Sequence, residues 1–188
     1  MPFFEMKTGV VLLAAGQGTR FGGNKLTARF RGRPLWVWAA ETAESFDFTE
    51  RVLVIGPETP IGSRQTWKRV KNRQAERGMG TSIAAGVRAL TDSDRVLVML
   101  ADMPLVSRAH IGRLLATQSV AFTQYHGGKA GCPAIFPHSV FFQLTSLSGD
   151  QGARSIDWED FELIRPLGEN ELADIDTTCD LTQLDSAV

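Results

Sequence analysis

Cysteine, histidine and long apolar runs are all scarce in this chain. Two cysteines, Cys132 and Cys179, cannot build a disulfide framework; two free thiols in a reducing cytoplasm is the ordinary reading. Three histidines, His110, His126 and His138, stand at no metal-ligand spacing, which excludes a zinc module. The longest apolar runs, such as Val10 to Ala15 and Val96 to Ala101, fall far short of the about 20 residues that a spanning helix needs. The segment before Gly9 carries Glu5 and has no apolar stretch long enough for a secretory signal. Neither charge sign dominates, since 20 Lys+Arg face 21 Asp+Glu for a net charge of −1. That balance argues against a polybasic nucleic-acid or membrane-surface protein and leaves room for a local basic site. Against these shortages, 43% of the 188 residues are hydrophobic, enough for a core. With no repeat and no linker in view, residues 1–188 read as a single domain.

Glycine is the exception: there are 18, and eleven of them cluster at 16–23, 78–80, 127–131 and 149–152. Between these clusters lie strands and helices. Val10–Ala14, Arg51–Ile55 and Arg95–Leu100 are short, mostly apolar runs with β-branched residues among them, the pattern of strands buried on both faces. Pro34 opens a helical pattern through Phe46, and Ser82–Leu90 has helical spacing. Ser107 is placed to cap a helix running to Leu115, with His110 three residues on instead of Glu. Val120–Thr123 and Pro133–Phe136 read as a hairpin turning at 126–129. Strands alternating with helices imply a three-layer αβα fold with a mostly parallel, Rossmann-like sheet and a mixed part.

The richest segment is Leu13-Ala14-Ala15-Gly16-Gln17-Gly18-Thr19-Arg20-Phe21-Gly22-Gly23-Asn24-Lys25. A glycine loop after a strand aims backbone N–H groups at phosphates, and Arg20 and Lys25 add positive charge. It is not a dinucleotide fingerprint, because Phe21 stands where the third glycine belongs and the second strand ends in Ile55-Gly56 without an acidic residue. It is not an ATP-binding loop either, because Asn24 precedes Lys25 and Leu26 follows. The bland alternative is a glycine-rich turn with two solvated cations.

These residues resemble the L-A-A-G-x-S-x-R-x-G-x-x-K signature of the molybdenum cofactor nucleotidyltransferases, most of all their cytidylyltransferase branch. Gly18 departs from that branch's usual Ser. Further segments match in the family's order: Gly78-Met79-Gly80-Thr81-Ser82, Leu100-Ala101-Asp102-Met103-Pro104, Gly131-Cys132-Pro133-Ala134-Ile135-Phe136, Gly149-Asp150-Gln151-Gly152-Ala153-Arg154 and Asp174-Ile175-Asp176-Thr177. The resemblance implies a nucleotide-diphospho-sugar transferase-like fold. It also implies transfer of a nucleoside monophosphate, CMP from CTP, to the phosphate of a molybdopterin-type acceptor with release of pyrophosphate. A molybdoenzyme or its chaperone is then an implied partner, with no nucleic acid, no membrane and a cytoplasmic location.

Asp102 follows a buried strand, at the edge where α/β sheets bind ligands. A carboxylate there can hold a cation between phosphates, although capping the next helix is the plainer role. The resemblance makes Asp102 the principal ligand of Mg²⁺, with Mn²⁺ as the alternative metal, and places Asp176 near it. Alternation puts Asp174 and Asp176 on one face of a short strand; ordinary solvated loop acids are the competing reading. Where the family often has Pro after the Thr, this chain has Thr178 and Cys179.

By resemblance, Leu13, Ala14, Ala15, Gly16, Gly18, Arg20, Lys25, Gly80, Ser82 and Asp102 bind the nucleotide. Arg20, Lys25 and Asp102 carry catalysis, and Asp150 and Arg154 receive the acceptor. Thr81 or Ser82 would equally serve as a helix cap, and Arg154 as one half of a surface ion pair. Cys132 has Pro133 beside it and no histidine partner in the local sequence, which argues against a nucleophile. Trp36 and Trp38 read as packing residues. A phosphate acceptor is already anionic, so the chemistry needs positioning and charge neutralisation rather than a Ser-His pair. Other readings stay open: a guanylyltransferase (whose loop usually reads L-x-G-G), a sugar-phosphate nucleotidyltransferase, a family member with another activity, and a non-catalytic cofactor-binding chaperone.

Overall fold

The computed structural model describes residues 6–16, 18, 21–150, 152–168 and 170–186. Strand β1, Thr8–Ala14, is buried along its whole length and lies in the middle of a seven-stranded sheet. Its neighbours are β4 (Glu50–Ile55) and β6 (Arg95–Leu100), both parallel to it. Beyond β4 lies β5 (Lys68–Lys71), and beyond β6 come β8 (Ala130–Pro137), β7 (Ala121–Gln124) and β9 (Glu162–Ile164), giving the order β5-β4-β1-β6-β8-β7-β9. Only β8 runs against the others, pairing antiparallel with both β6 and β7. A separate two-residue hairpin joins β2 (Arg29–Phe30) to β3 (Arg33–Pro34).

The continuous apolar strands are explained by cover on both faces. Val10, Leu12 and Ala14 pack with Trp36, Ala39, Ala40 and Ala43 of helix α1 (Leu35–Glu44) and with Ile111 and Leu114 of α3 (Arg108–Leu115). On the opposite face, Val11, Leu13, Val52 and Val54 pack with Ile83 and Val87 of α2 (Met79–Arg88) and with Leu144 of α4 (Phe141–Thr145). The period-two alternation along β1 thus feeds two cores, and the three-layer expectation holds. A small third cluster joins Phe30, Leu35 and Ile175 to Leu181 and Leu184 of the last helix, α5 (Thr178–Ser186).

Several local expectations hold. Pro34 precedes the first residue of α1, Trp36 is buried and Trp38 donates its indole N–H to the Phe30 carbonyl at 3.0 Å. The Ser107 hydroxyl accepts the His110 N–H at 3.1 Å, the expected cap of α3. Others need correction. Helix α2 begins at Met79, three residues before Ser82, and Gly78 occupies its N-cap. Neither Thr81 nor Ser82 caps it, because both already lie inside the helix. Residues 173–176 form no strand, so the shared strand face expected for Asp174 and Asp176 does not exist.

Candidate active site

The carboxyl ends of β1 and β6 create the site. The ladder continues one step past β6, where the Ala101 N–H donates to the Leu13 carbonyl at 3.0 Å, so Asp102 projects at the same edge as the glycine loop. In that loop Gly18 has φ +58°, a conformation that favours glycine over the Ser of the resembling branch. A single 3₁₀ turn, Lys25–Thr27, follows it and buries Lys25, which is only 7% exposed.

Lys25 Nζ stands 2.7 Å from Asp102 Oδ2 and 2.7 Å from Asp176 Oδ1. Burial would lower the Lys25 pKa, but the two carboxylates outweigh it and the ammonium is held above its usual value. Asp102 Oδ1 is buried and has no hydrogen-bond partner among the described residues, an arrangement proteins seldom leave without a ligand. Among the described residues no three His, Cys, Asp or Glu side chains gather to hold a metal ion. Two carboxylates with a spare oxygen suit a hard cation that completes its shell from phosphates and water.

Asp176 reaches this edge from the far end of the chain because two contacts fix its loop. The Ile175 N–H donates to the Asp102 carbonyl at 3.1 Å. Asp180 Oδ2 accepts from the N–H groups of Asp176 at 3.1 Å and Thr177 at 2.7 Å, while Asp180 N–H donates back to Thr177 Oγ1 at 3.1 Å. This reciprocal pattern opens α5. Its signal, Thr177-x-x-Asp180 before an amphipathic stretch, was available in the sequence and went unread. Asp174 is exposed, and its carboxyl is raised by desolvation and by the charges of Asp176 and Asp102.

The remaining expected residues fall into two groups. Ala15 and Gly16 line a cleft of about 200 Å³ with Asn24, Gly56, Thr59 and Ala75, beside the glycine loop. Arg20 lies outside the described residues. Ser82 is buried, and the Asn72 amide donates to both Thr81 Oγ1 and Ser82 Oγ at 2.9 Å. Ser82 and Asn72 therefore stiffen the start of α2, and Gly80 lies on its first turn.

Across β6, Asp150 and Arg154 border a second cavity of about 270 Å³, together with Met79, Phe122, Tyr125, Lys129 and Cys132. Tyr125, Lys129 and Met79 were not anticipated, since nothing in their local sequence marks them as lining a cavity. The Tyr125 hydroxyl donates to the Cys132 carbonyl at 2.6 Å. Burial pushes the Cys132 thiol up to about 12, aided by the Asp102 charge, so it stays protonated at neutral pH. That agrees with the reading that Cys132 is no nucleophile.

The sequence profile of the MobA-like NTP transferase domain matches residues 10–160. The chain belongs to this family. The match contains Lys25 and Asp102 and stops short of Asp176, which the fold alone brings to them. Two relatives agree over most of their length. The purine catabolism protein PucB of Bacillus subtilis is 30% identical over 162 residues, 78% of each chain. The nicotine blue oxidoreductase of Paenarthrobacter nicotinovorans is 33% identical over 159 residues, 77% of this chain and 78% of that protein.

Solved structures share the transferase fold at lower identity. Rv0371c of Mycobacterium tuberculosis superposes with TM-score 0.80 and 21% identity, covering 96% of this chain and 99% of that one. A manganese complex of the same protein gives TM-score 0.73 and 22% identity over 98% and 100%. Molybdopterin-guanine dinucleotide biosynthesis protein A of Archaeoglobus fulgidus gives 0.69 and 18% over 94% and 96%. Among the described residues no helix is long and apolar enough to cross a membrane.

Proposed function

We propose that this NTP transferase moves CMP from CTP to the phosphate of a molybdopterin-type acceptor and releases pyrophosphate. The observation that carries the reading is Lys25 seated between Asp102 and Asp176, with a buried, unpartnered oxygen on Asp102. Asn24, next to Lys25 in the chain, lines the glycine-loop cleft, and Leu100, two residues before Asp102, lines the second cavity, so each cavity has a wall that adjoins the cluster in sequence. The Ala14-Ala15-Gly16 loop and the Pro133-Ala134-Ile135-Phe136 segment support the cytidylyl branch through the family resemblance.

The roles follow from placement. Backbone N–H groups of the loop through Ala15, Gly16 and Gly18 orient the triphosphate, and the family resemblance adds Arg20 as a second cation. Asp102 and Asp176 would hold Mg²⁺ or Mn²⁺, and Rv0371c, the protein whose manganese complex shares this fold, is consistent with that metal class. A divalent ion supplies neutralisation of phosphate charge. Lys25 adds a buried positive charge in the same place. Asp150 and Arg154, with Lys129, flank the acceptor. An acceptor phosphate oxygen attacks the α-phosphorus, the bond to the β-phosphate oxygen breaks, and pyrophosphate leaves with its electron pair. The attacking oxygen is already anionic, so the site needs no general base.

A second reading has one observation behind it: the relative at 33% identity bears an oxidoreductase name. One panel separates the two. Purified protein is given CTP, GTP, ATP or UTP with Mg²⁺ and the molybdenum cofactor, and pyrophosphate is measured. Release with CTP above the other nucleotides supports the proposal, GTP preference moves it to guanylyl transfer, and no pyrophosphate with any nucleotide overturns it. A parallel arm with a nicotinamide reductant and a dye acceptor tests the redox reading.

A further inference from the structure

Two glycine turns from the two halves of the site are locked against each other. Gly78, just before α2, has φ +112°, and a Cβ built there would meet Asp150 Cα, N and Oδ1 at 2.4 Å. No side chain fits that gap, because two of the three atoms are backbone. One residue further into α2, the Gly80 N–H donates to the Gly149 carbonyl at 3.0 Å, and Gly149 itself has φ +74°. Met79 lies between them: its sulfur would be 3.3 Å from a Cβ at Gly152, and it lines the same cavity as Asp150 and Arg154. The contact therefore joins the first turn of the helix assigned to the nucleotide with the loop assigned to the acceptor.

We propose that Gly78 and Gly149 are positioning residues that couple the two substrate sites, so that nucleotide bound at the start of α2 fixes the positions of Asp150 and Arg154 for the acceptor. This rests on the transferase reading above. The physical basis is direct contact between two elements, one of them firmly held. Asn72 ties Thr81 and Ser82 down, and Thr81 Oγ1 also reaches the Gly78 carbonyl at 2.8 Å, so a ligand that stiffens this turn acts on a well-held element. Among the described residues the loop is joined to it by the Gly80–Gly149 hydrogen bond, by the close approach of Asp150 to Gly78 and by buried Ala153, which packs with Ile83 and Val87 of α2. Whatever fixes the turn restricts the loop, and by linkage the acceptor tightens the nucleotide by the same factor.

The test is amide hydrogen exchange of the full chain with CTP or GTP and Mg²⁺, in the absence of any acceptor. In the wild type, nucleotide should slow exchange in 78–88 and also in 149–156, the latter by about fivefold or more. Gly149→Ala is the milder probe, since a Cβ there has only the Arg77 carbonyl, at 3.9 Å, for a neighbour and perturbs the turn through φ; Gly78→Ala is the severe one. Both should keep nucleotide protection in 78–88 and lose it in 149–156, with melting curves read alongside as a folding control. Protection confined to 78–88 in the wild type overturns the coupling while leaving the transferase reading intact. So does equal transmission in Gly149→Ala, which would assign the loop's response to direct contact with the nucleotide. Absence of nucleotide binding altogether removes both.

Discussion

The two ends of the parallel strands hold carboxylates in opposite conditions. At the amino end, Glu50 at the head of β4 accepts from the N–H groups of Thr91 and Asp92 and from the hydroxyls of Thr91 and Ser93, at 2.6 to 3.1 Å. At the carboxyl end, Asp102 is paired through one oxygen with Lys25, and its other oxygen is buried without a partner among the described residues. A carboxylate whose donors are all in place serves the fold. One left short of donors costs stability unless a ligand completes it. The difference assigns stability to one end of the sheet and chemistry to the other, and substitutions at the two ends should separate the two properties.

Asp102→Asn gives the largest expected effect. Metal-dependent turnover should fall by about 10²–10³-fold or more, while the melting temperature moves by no more than a few degrees. Nucleotide affinity without metal should hold or rise, because like charges at ~4 Å repel by about 4 kcal/mol at an effective dielectric of 20. Wild-type turnover with the same Mg²⁺ requirement would instead place the cation at Asp176. Lys25→Ala should lose about 10²-fold in kcat/KM through the missing charge. It also leaves Asp102 and Asp176 facing each other without their shared ammonium, so its thermal stability should become more dependent on Mg²⁺ than the wild type's. A variant near normal kcat/KM would remove Lys25 from the mechanism.

How much of this division is legible in sequence depends on the kind of signal each residue carries. Buried strands announce themselves by continuous apolar runs, which is why β1, β4 and β6 stand within one or two residues of expectation. Asp102 and the glycine loop are then located by being next to those strands. Edge strands carry no such signal. β5 is Lys-Arg-Val-Lys and β9 is only three residues, Glu162–Ile164, and neither was anticipated. The pairing of Lys25 with Asp176 spans 151 positions and follows from how the 175 loop docks on the Asp102 carbonyl, a tertiary contact with no local pattern. The cavity wall at Tyr125 is equally non-local, since it exists only after β7 and β8 fold back on β6.

Arg154→Ala should have a moderate effect confined to the mixed side of the sheet. Arg154 borders the cavity with Asp150 and Lys129, and it is exposed, so the variant removes one of the two cations proposed to receive an anionic acceptor. The KM for the acceptor should rise about tenfold, the cost of about 1.4 kcal/mol, with the KM for CTP unchanged. Equal changes in both constants would place Arg154 at the nucleotide or in the general fold, and would blur the boundary between the two cavities.

Glu50→Gln should have the smallest effect on turnover and is the sharpest control for the comparison. Burial alone would raise the Glu50 pKa, but the hydrogen bonds from Ser93, Asp92 and Thr91 outweigh it and hold the carboxyl at about 2, against an ordinary 4.5. A depressed carboxylate pKa contributes stability that is present above the unfolded value and is lost as pH falls through the folded one. The contribution should therefore be full above about pH 5 and disappear between about 4.5 and 2. The amide cannot accept through its nitrogen, so the variant should lose about 1–2 kcal/mol at neutral pH, a figure already reduced for partial solvent screening. The gap between the two proteins should close as the wild type is acidified, whereas kcat and both KM values at neutral pH should match. Urea titrations at pH 7 and pH 3 measure the first expectation, and steady-state kinetics measure the second. A wild-type advantage that persists unchanged at pH 3 would show that the Thr91–Ser93 turn is held by its own backbone. A fall in kcat at neutral pH would show that the two ends of the sheet are not independent.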